Sequence, residues 1–140
     1  MNSATTPTLV ALVVQLALAL VIFQSNSKRK SNQSFLLLSL VAGAWLGSSY
    51  YALTATNAHV AEFWIRQASA AGALVFTAFN LLRISVRWNQ ESWRAILYRS
   101  RFWLVASVGI VCLCETKWFL TGAMMPSQTG LVAPTADRRR

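Results

Sequence analysis

Apolar residues in this chain gather into four long stretches, separated by polar gaps of unequal length and charge. Leu9 to Phe23 is the first, Ser34 to Ala55 the second, Ala61 to Val86 the third and Phe102 to Gly122 the fourth. With a helical rise of about 1.5 Å per residue and a hydrocarbon core of about 30 Å, roughly twenty such residues cross a bilayer. The pattern predicts an all-α integral membrane protein, an up-down bundle of four transmembrane helices at about residues 8–24, 34–55, 60–87 and 102–122. Pro7 sits where a first helix begins, with Thr5 or Thr6 as its cap. No basic residue precedes the first run and no small-residue cleavage site follows it, so it reads as a retained span, not a secretory signal.

The gaps orient these spans. Residues 25–33 (SNSKRKSNQ) carry Lys28, Arg29 and Lys30; Arg83 and Arg87 close the third span, and residues 88–101 add Arg94, Arg99 and Arg101. These eight cations fall on one side, whereas the connection between the second and third spans offers only His59 and the neighbouring Glu62. The positive-inside bias assigns the basic side to the cytoplasm and places both termini outside. Trp88, Trp93 and Tyr98 make residues 88–101 an interfacial helix or loop whose cations suit an anionic leaflet, while Tyr50 and Tyr51 suit the opposite interface. Residues 123–140 form an extracytoplasmic tail ending in Asp137 and Arg138 to Arg140. Those arginines break the bias, but they lie beyond the last span, where charge steers topology weakly.

Composition agrees with this picture. The chain is 55% hydrophobic and 12% charged, against about 25% charged residues in a soluble domain. Its net charge of +9 does not point to nucleic acid, because a groove-reading face needs a soluble scaffold and here the charge flanks apolar spans. The expected environment is a lipid bilayer, the cytoplasmic membrane of a bacterium.

Candidate chemistry concentrates in the third span, which carries Glu62, Arg66, Asn80 and Arg83 within its apolar length. Ionisable groups at such depth need partners. Glu62 and Arg66 are four apart and share a helix face. Counted along the helices, Arg66 and Glu115 of the fourth span reach similar depth from the outer surface. An intramembrane polar cluster of Glu62, Arg66, Glu115 and Lys117, with His59 at its rim, is therefore expected, either as an ion pair joining helices or as a ligand- or proton-responsive site. Arg83 reaches the cytoplasmic surface along its own stem, and Asn80 and Gln15 are expected to make interhelical hydrogen bonds. Ser39, Gly43 and Gly47 form a ridge of small residues at four-residue spacing, which allows close approach of another helix of this chain or of a partner.

No catalytic residue, cofactor or metal site emerges. Cys112 and Cys114 are two apart, point to different faces of a helix and lack a second ligand pair. His59 is the single histidine, which rules out bis-histidine haem ligation within one chain. Phosphate-binding loops and nucleophile elbows are missing, so the chain reads as a non-enzyme.

Several anchors resemble a known region. They are the basic loop running into residues 34–40 (SFLLLSL), the step Ala44, Trp45 and Gly47, and Ala61-Glu62-Phe63-Trp64 with Arg66, leading to Ala70, Ala71 and Gly72. Thr121-Gly122 with Pro126, Gly130 and Pro134 extend the likeness. Together they resemble the N-terminal seven-transmembrane sensory region of bacterial histidine kinases. That resemblance implies the first four spans of a sensor module, ending before any kinase module. The expected function is a sensor-like transmembrane module that contacts membrane partners or a second copy of itself. An accessory subunit of a respiratory, photosynthetic or transport complex is the alternative, and a solute carrier ranks last because mid-depth polar groups are sparse.

Overall fold

The computed structural model describes residues 5–116 and Phe119, and every regular element among them is helical. The order is α1 (Thr5–Ser25), α2 (Lys30–Thr54), α3 (Ala58–Arg87), α4 (Trp93–Arg99) and α5 (Arg101–Glu115). Pro7 lies in the first turn of α1, where its missing N–H leaves no helical bond unmade. A turn at 26–29 reverses the chain into α2 through an Arg29 N–H to Asn26 O bond of 3.2 Å. Only residues 55–57 separate α2 from α3, and Asn57 caps α3 by accepting the His59 N–H at 2.9 Å. The Ser92 hydroxyl caps α4 in the same way, accepting from Ala95 N–H.

The long helices pack as an open row. Among the described residues α1 packs on α2 alone, α2 lies between α1 and α3, and α3 lies between α2 and α5, with α4 tucked against the basic end of α3. The bundle is therefore not a closed ring. Its seams are made of small and polar side chains: Ala19, Ala61, Ala70, Ala71, Ala78, Ser34, Ser39, Ser48, Thr77, Ser85 and Ser107 are all buried. Most large apolar side chains point outward instead, with Leu81 and Ile96 as buried exceptions. Phe76 is 68% exposed, and Phe102 and Val105 are each 73% exposed. In water each such exposed side chain forgoes about 1.5–3 kcal/mol of burial, so a surface made of them suits an apolar solvent. Three helices (α1, α2 and α3) are long and apolar enough to cross a membrane, and the α4–α5 pair, bent by 65°, makes a fourth if counted as one span.

The fourth span differs from the sequence expectation at its far end. Residues 117, 118 and 120–122 lie outside the described residues. The span predicted over 102–122 begins one residue early, as α5, after a bend at Ser100 that separates it from α4 in the interfacial segment, and the helix ends at Glu115. At its far end Thr116 adopts an extended conformation and its hydroxyl donates to Leu113 O at 2.7 Å. Such local side-chain bonds compete with continuation of a helix. The fifteen residues of α5 reach about 22 Å at 1.5 Å each, short of a ~30 Å core. The basic segment 88–101 resolves into a loop and a helix lying across the row end. The tail at 123–140 lies outside the described residues.

Candidate functional site

Polar groups on α3 and the residues facing them make the candidate site, beginning at the end where α3 starts. His59 is exposed, and only its backbone is bonded, to the Asn57 side chain. One turn on, Glu62 and Arg66 form an ion pair of 2.5 Å within the helix, with side chains 24% and 18% exposed. Glu115 does not join them. Its Oε1 accepts from Gln67 Nε2 at 2.9 Å, so the depth match to Arg66 holds within one residue but lands on the next face. Successive helical residues are rotated by about 100°, which separates the two contacts. Lys117 lies outside the described residues.

Farther along the α3–α5 seam, Thr77 Oγ1 donates to Trp103 O at 3.0 Å and shares a proton contact with Ser107 Oγ. Ser107 is itself within 2.8 Å of Trp103 O. Asn80, buried, donates to Ser100 Oγ at 3.1 Å where α4 meets α5, and Arg83 donates to Asn80 Oδ1 at 3.1 Å. Asn80 thus makes the interhelical bond expected of it.

On the other flank of α2, Gln15 Nε2 donates to Ser39 Oγ at 3.0 Å, joining α1 to α2. Gly43 sits under Leu12 and Leu16: a Cβ there would approach them to 3.3 and 3.4 Å. Gly47 has no neighbour within 4 Å. The small-residue ridge therefore serves an internal contact with α1 through Ser39 and Gly43, and Gly47 falls outside it. Between α2 and α3, Gly72 lies 3.8 Å from the Trp45 ring, measured from its virtual Cβ, and Tyr51 stacks on Trp64 at 4.7 Å.

The basic end is cross-linked by some of the cations that the sequence offered as anchors. Lys30, assigned from sequence to that set, is half-buried; its ammonium donates to Asn89 O at 3.1 Å and to Glu91 O. Trp93 Nε1 donates to Gln33 Oε1 at 3.0 Å. Arg99 holds the Glu91 carboxylate at 2.9 and 3.1 Å and stacks over Trp88 at 4.4 Å, with Arg87 at 5.8 Å from the same ring. Arg101 lies over Tyr98 at 4.4 Å. Lys28, Arg29, Arg83, Arg87 and Arg94 are exposed.

Two apolar grooves flank α3, one of about 400 Å³ toward α5 and one of about 350 Å³ toward α2, and Ser69 and Gly72 line both. Among the described residues no three His, Cys, Asp or Glu side chains gather, and Cys112 and Cys114 are free, one exposed and one buried. The chemistry on offer is recognition: helix against helix along the seams, and anion against cation at the basic end.

Gln67, Thr77, Ser100 and Ser107 were missed in the sequence. A usable signal existed, because the antiparallel register that matches Arg66 to Glu115 also brings Thr77 opposite Ser107 and Asn80 opposite Ser100. The ties of Lys30 and Gln33 join segments about sixty residues apart and leave no periodic trace. Comparison with family models, curated proteins and solved structures returns no match for this chain.

Proposed function

We propose that this chain is a non-catalytic polytopic membrane protein that works through lateral helix–helix contacts with membrane partners, as a sensor-like module of the bacterial cytoplasmic membrane. In this reading the basic end faces the cytoplasm and the start of α3 faces outward. The observation that carries it is the open row, in which, among the described residues, α1 and α5 each have a single long-helix neighbour and grooves beside Gly72 flank α3 on both sides. In a bilayer, association depends on packing and interhelical hydrogen bonds, so grooves lined by small residues are where a further helix gains contact.

Photo-crosslinking from Phe76, which is exposed on α3 beside the larger groove, tests the reading in native membranes. A discrete adduct with a second membrane protein or a second copy is the expected result. A chain that partitions into the membrane and yields only lipid adducts overturns it. An open row also suits an accessory subunit packed on a larger respiratory, photosynthetic or transport complex. Stoichiometric co-purification in mild detergent would identify that case, while a substoichiometric or homodimeric adduct identifies the sensor-like one.

A further inference from the structure

The basic end holds more positive charge than its own acids neutralise. Among the described residues, Arg99 is the one Lys or Arg side chain of the eight there that meets a carboxylate, that of Glu91, the single acidic residue between positions 63 and 114. Beside the α1–α2 turn lies a cavity of about 310 Å³ lined by Asn26, Lys28, Arg29, Lys30 and Asn89. No acid lines it.

The walls of this cavity are held in place. Asn32 Nδ2 donates to Ile22 O at 2.9 Å and to Asn26 O at 3.0 Å, and Gln33 Nε2 donates to Ser27 O at 2.9 Å. Lys30 binds the facing loop through the carbonyls of Asn89 and Glu91. Three side chains from the first turn of α2 thus fix both the turn and the loop opposite. Lys30 has committed its ammonium to those carbonyls. Lys28 and Arg29 have no side-chain hydrogen bond or ion pair among the described residues, and both are exposed at the cavity.

Two unneutralised cations beside two carboxamides, on a backbone fixed by hydrogen bonds, form a receptor for a compact multi-oxygen anion. Arginine's planar fork matches two oxygens of one phosphoryl group, a lysine supplies a point charge, and carboxamide N–H groups add neutral donors. We propose that the cavity of Asn26, Lys28, Arg29, Lys30 and Asn89 binds a phosphoryl group, carried by an anionic lipid headgroup or by a soluble phosphate. The lipid source rests on the membrane reading above; the soluble source does not.

The test compares two double variants with equal loss of charge. K28Q/R29Q removes the two free cations, and R94Q/R101Q removes two exposed cations from the same end outside the cavity. Full-length protein is reconstituted in phosphatidylcholine nanodiscs containing phosphatidylglycerol, and lipid retention is read by native mass spectrometry. In parallel, protein in neutral detergent is titrated calorimetrically with inorganic phosphate. K28Q/R29Q is expected to lose roughly tenfold to thirtyfold in affinity for the probe that binds, because each basic group near an anionic surface contributes about 1 kcal/mol. The control should lose less than about threefold. Loss with phosphatidylglycerol alone identifies a lipid headgroup, and loss with inorganic phosphate identifies a soluble ligand. Equal losses in the two variants, or a wild-type chain that binds neither probe, overturn the proposal. Failure of the membrane reading is distinguishable, since that chain would stay outside the nanodiscs while the phosphate titration still reports on the cavity.

Discussion

At the basic end of the row, Lys30, Asn32 and Gln33 reach from one helical turn to segments before and far beyond it, tying residues 22–27 and 89–93 to the start of α2. At the opposite end the Glu62–Arg66 ion pair lies along one face of α3, and Gln67 with Glu115 and the Tyr51–Trp64 stack join α3 to its neighbours. The difference is one of connectivity. An ion pair inside one helix travels with that helix and resists no relative motion, whereas a bond across sixty residues of sequence opposes every separation of its two segments. The basic end is thus clasped by side-chain bonds that span about sixty residues of sequence, while at the other end the bond of Gln67 with Glu115 ties α3 to α5.

The largest effect that would break this contrast comes from Lys30. Replacing it by Met keeps the stem and removes the ammonium that holds the Asn89 and Glu91 carbonyls. Hydrogen bonds to a charged donor contribute about 1.5–3 kcal/mol, so K30M should lose stability in that range in detergent unfolding, and protease should cut residues 88–92 sooner. Unchanged stability and cleavage would show that the clasp carries no weight.

Gly43→Leu comes next. A single Cβ there already comes within 3.3 Å of Leu12, so a whole leucine side chain must push α1 away from α2. Overpacking of this kind costs about 1–3 kcal/mol. Gly47→Leu, placed where nothing lies within 4 Å, should cost under about 0.5 kcal/mol. A double-cysteine crosslink between α1 and α2 reads the separation directly, and equal behaviour of the two variants would refute the asymmetry of the ridge.

These two sites also mark how far the sequence could be read. Apolar run length located α1, α2 and α3 nearly to their ends, because a span's hydrophobic length is set by the bilayer and needs no tertiary information. Depth counting gave the α3–α5 register for the same reason. Rotation about each helix axis was less accessible: Glu115 went to Gln67 and not to Arg66, and Gly47 missed the contact that Gly43 makes. Facing depends on which neighbour packs where, and an open row offers fewer neighbours than a closed bundle would. The break at Ser100 fell at the boundary between the basic interfacial segment and the fourth apolar run, although Trp93 to Glu115 carries no proline and its only glycine, Gly109, lies inside α5. It is built instead by the Ser100 N–H bonding to Ile96 and Leu97 carbonyls and by its side chain accepting from Asn80.

Thr77→Val tests the middle of the seam. It removes the hydroxyl that bonds Trp103 O and Ser107 while keeping the side-chain shape. Interhelical hydrogen bonds within membranes average about 0.6 kcal/mol and reach about 1.7, so a loss near 1 kcal/mol is expected. Asn80→Leu should match or slightly exceed it, because Ser100 and Arg83 both lose their partner.

The smallest effect is expected from the charges that look most conspicuous in the sequence. Glu62→Gln discharges the acid while leaving an oxygen that still accepts from Arg66. Both groups sit on one helix, a turn from its start, with about a fifth of each side chain exposed. Pairs four residues apart at such positions contribute about 0.3–0.5 kcal/mol and are screened by salt. E62Q should therefore shift unfolding by less than about 1 kcal/mol and leave any crosslink between α3 and its neighbours unchanged. A loss of about 3–5 kcal/mol is the signature of a desolvated pair that has lost one partner. That outcome would reverse the comparison between the two ends, making the start of α3 as firm a fixed point of the row as the basic end.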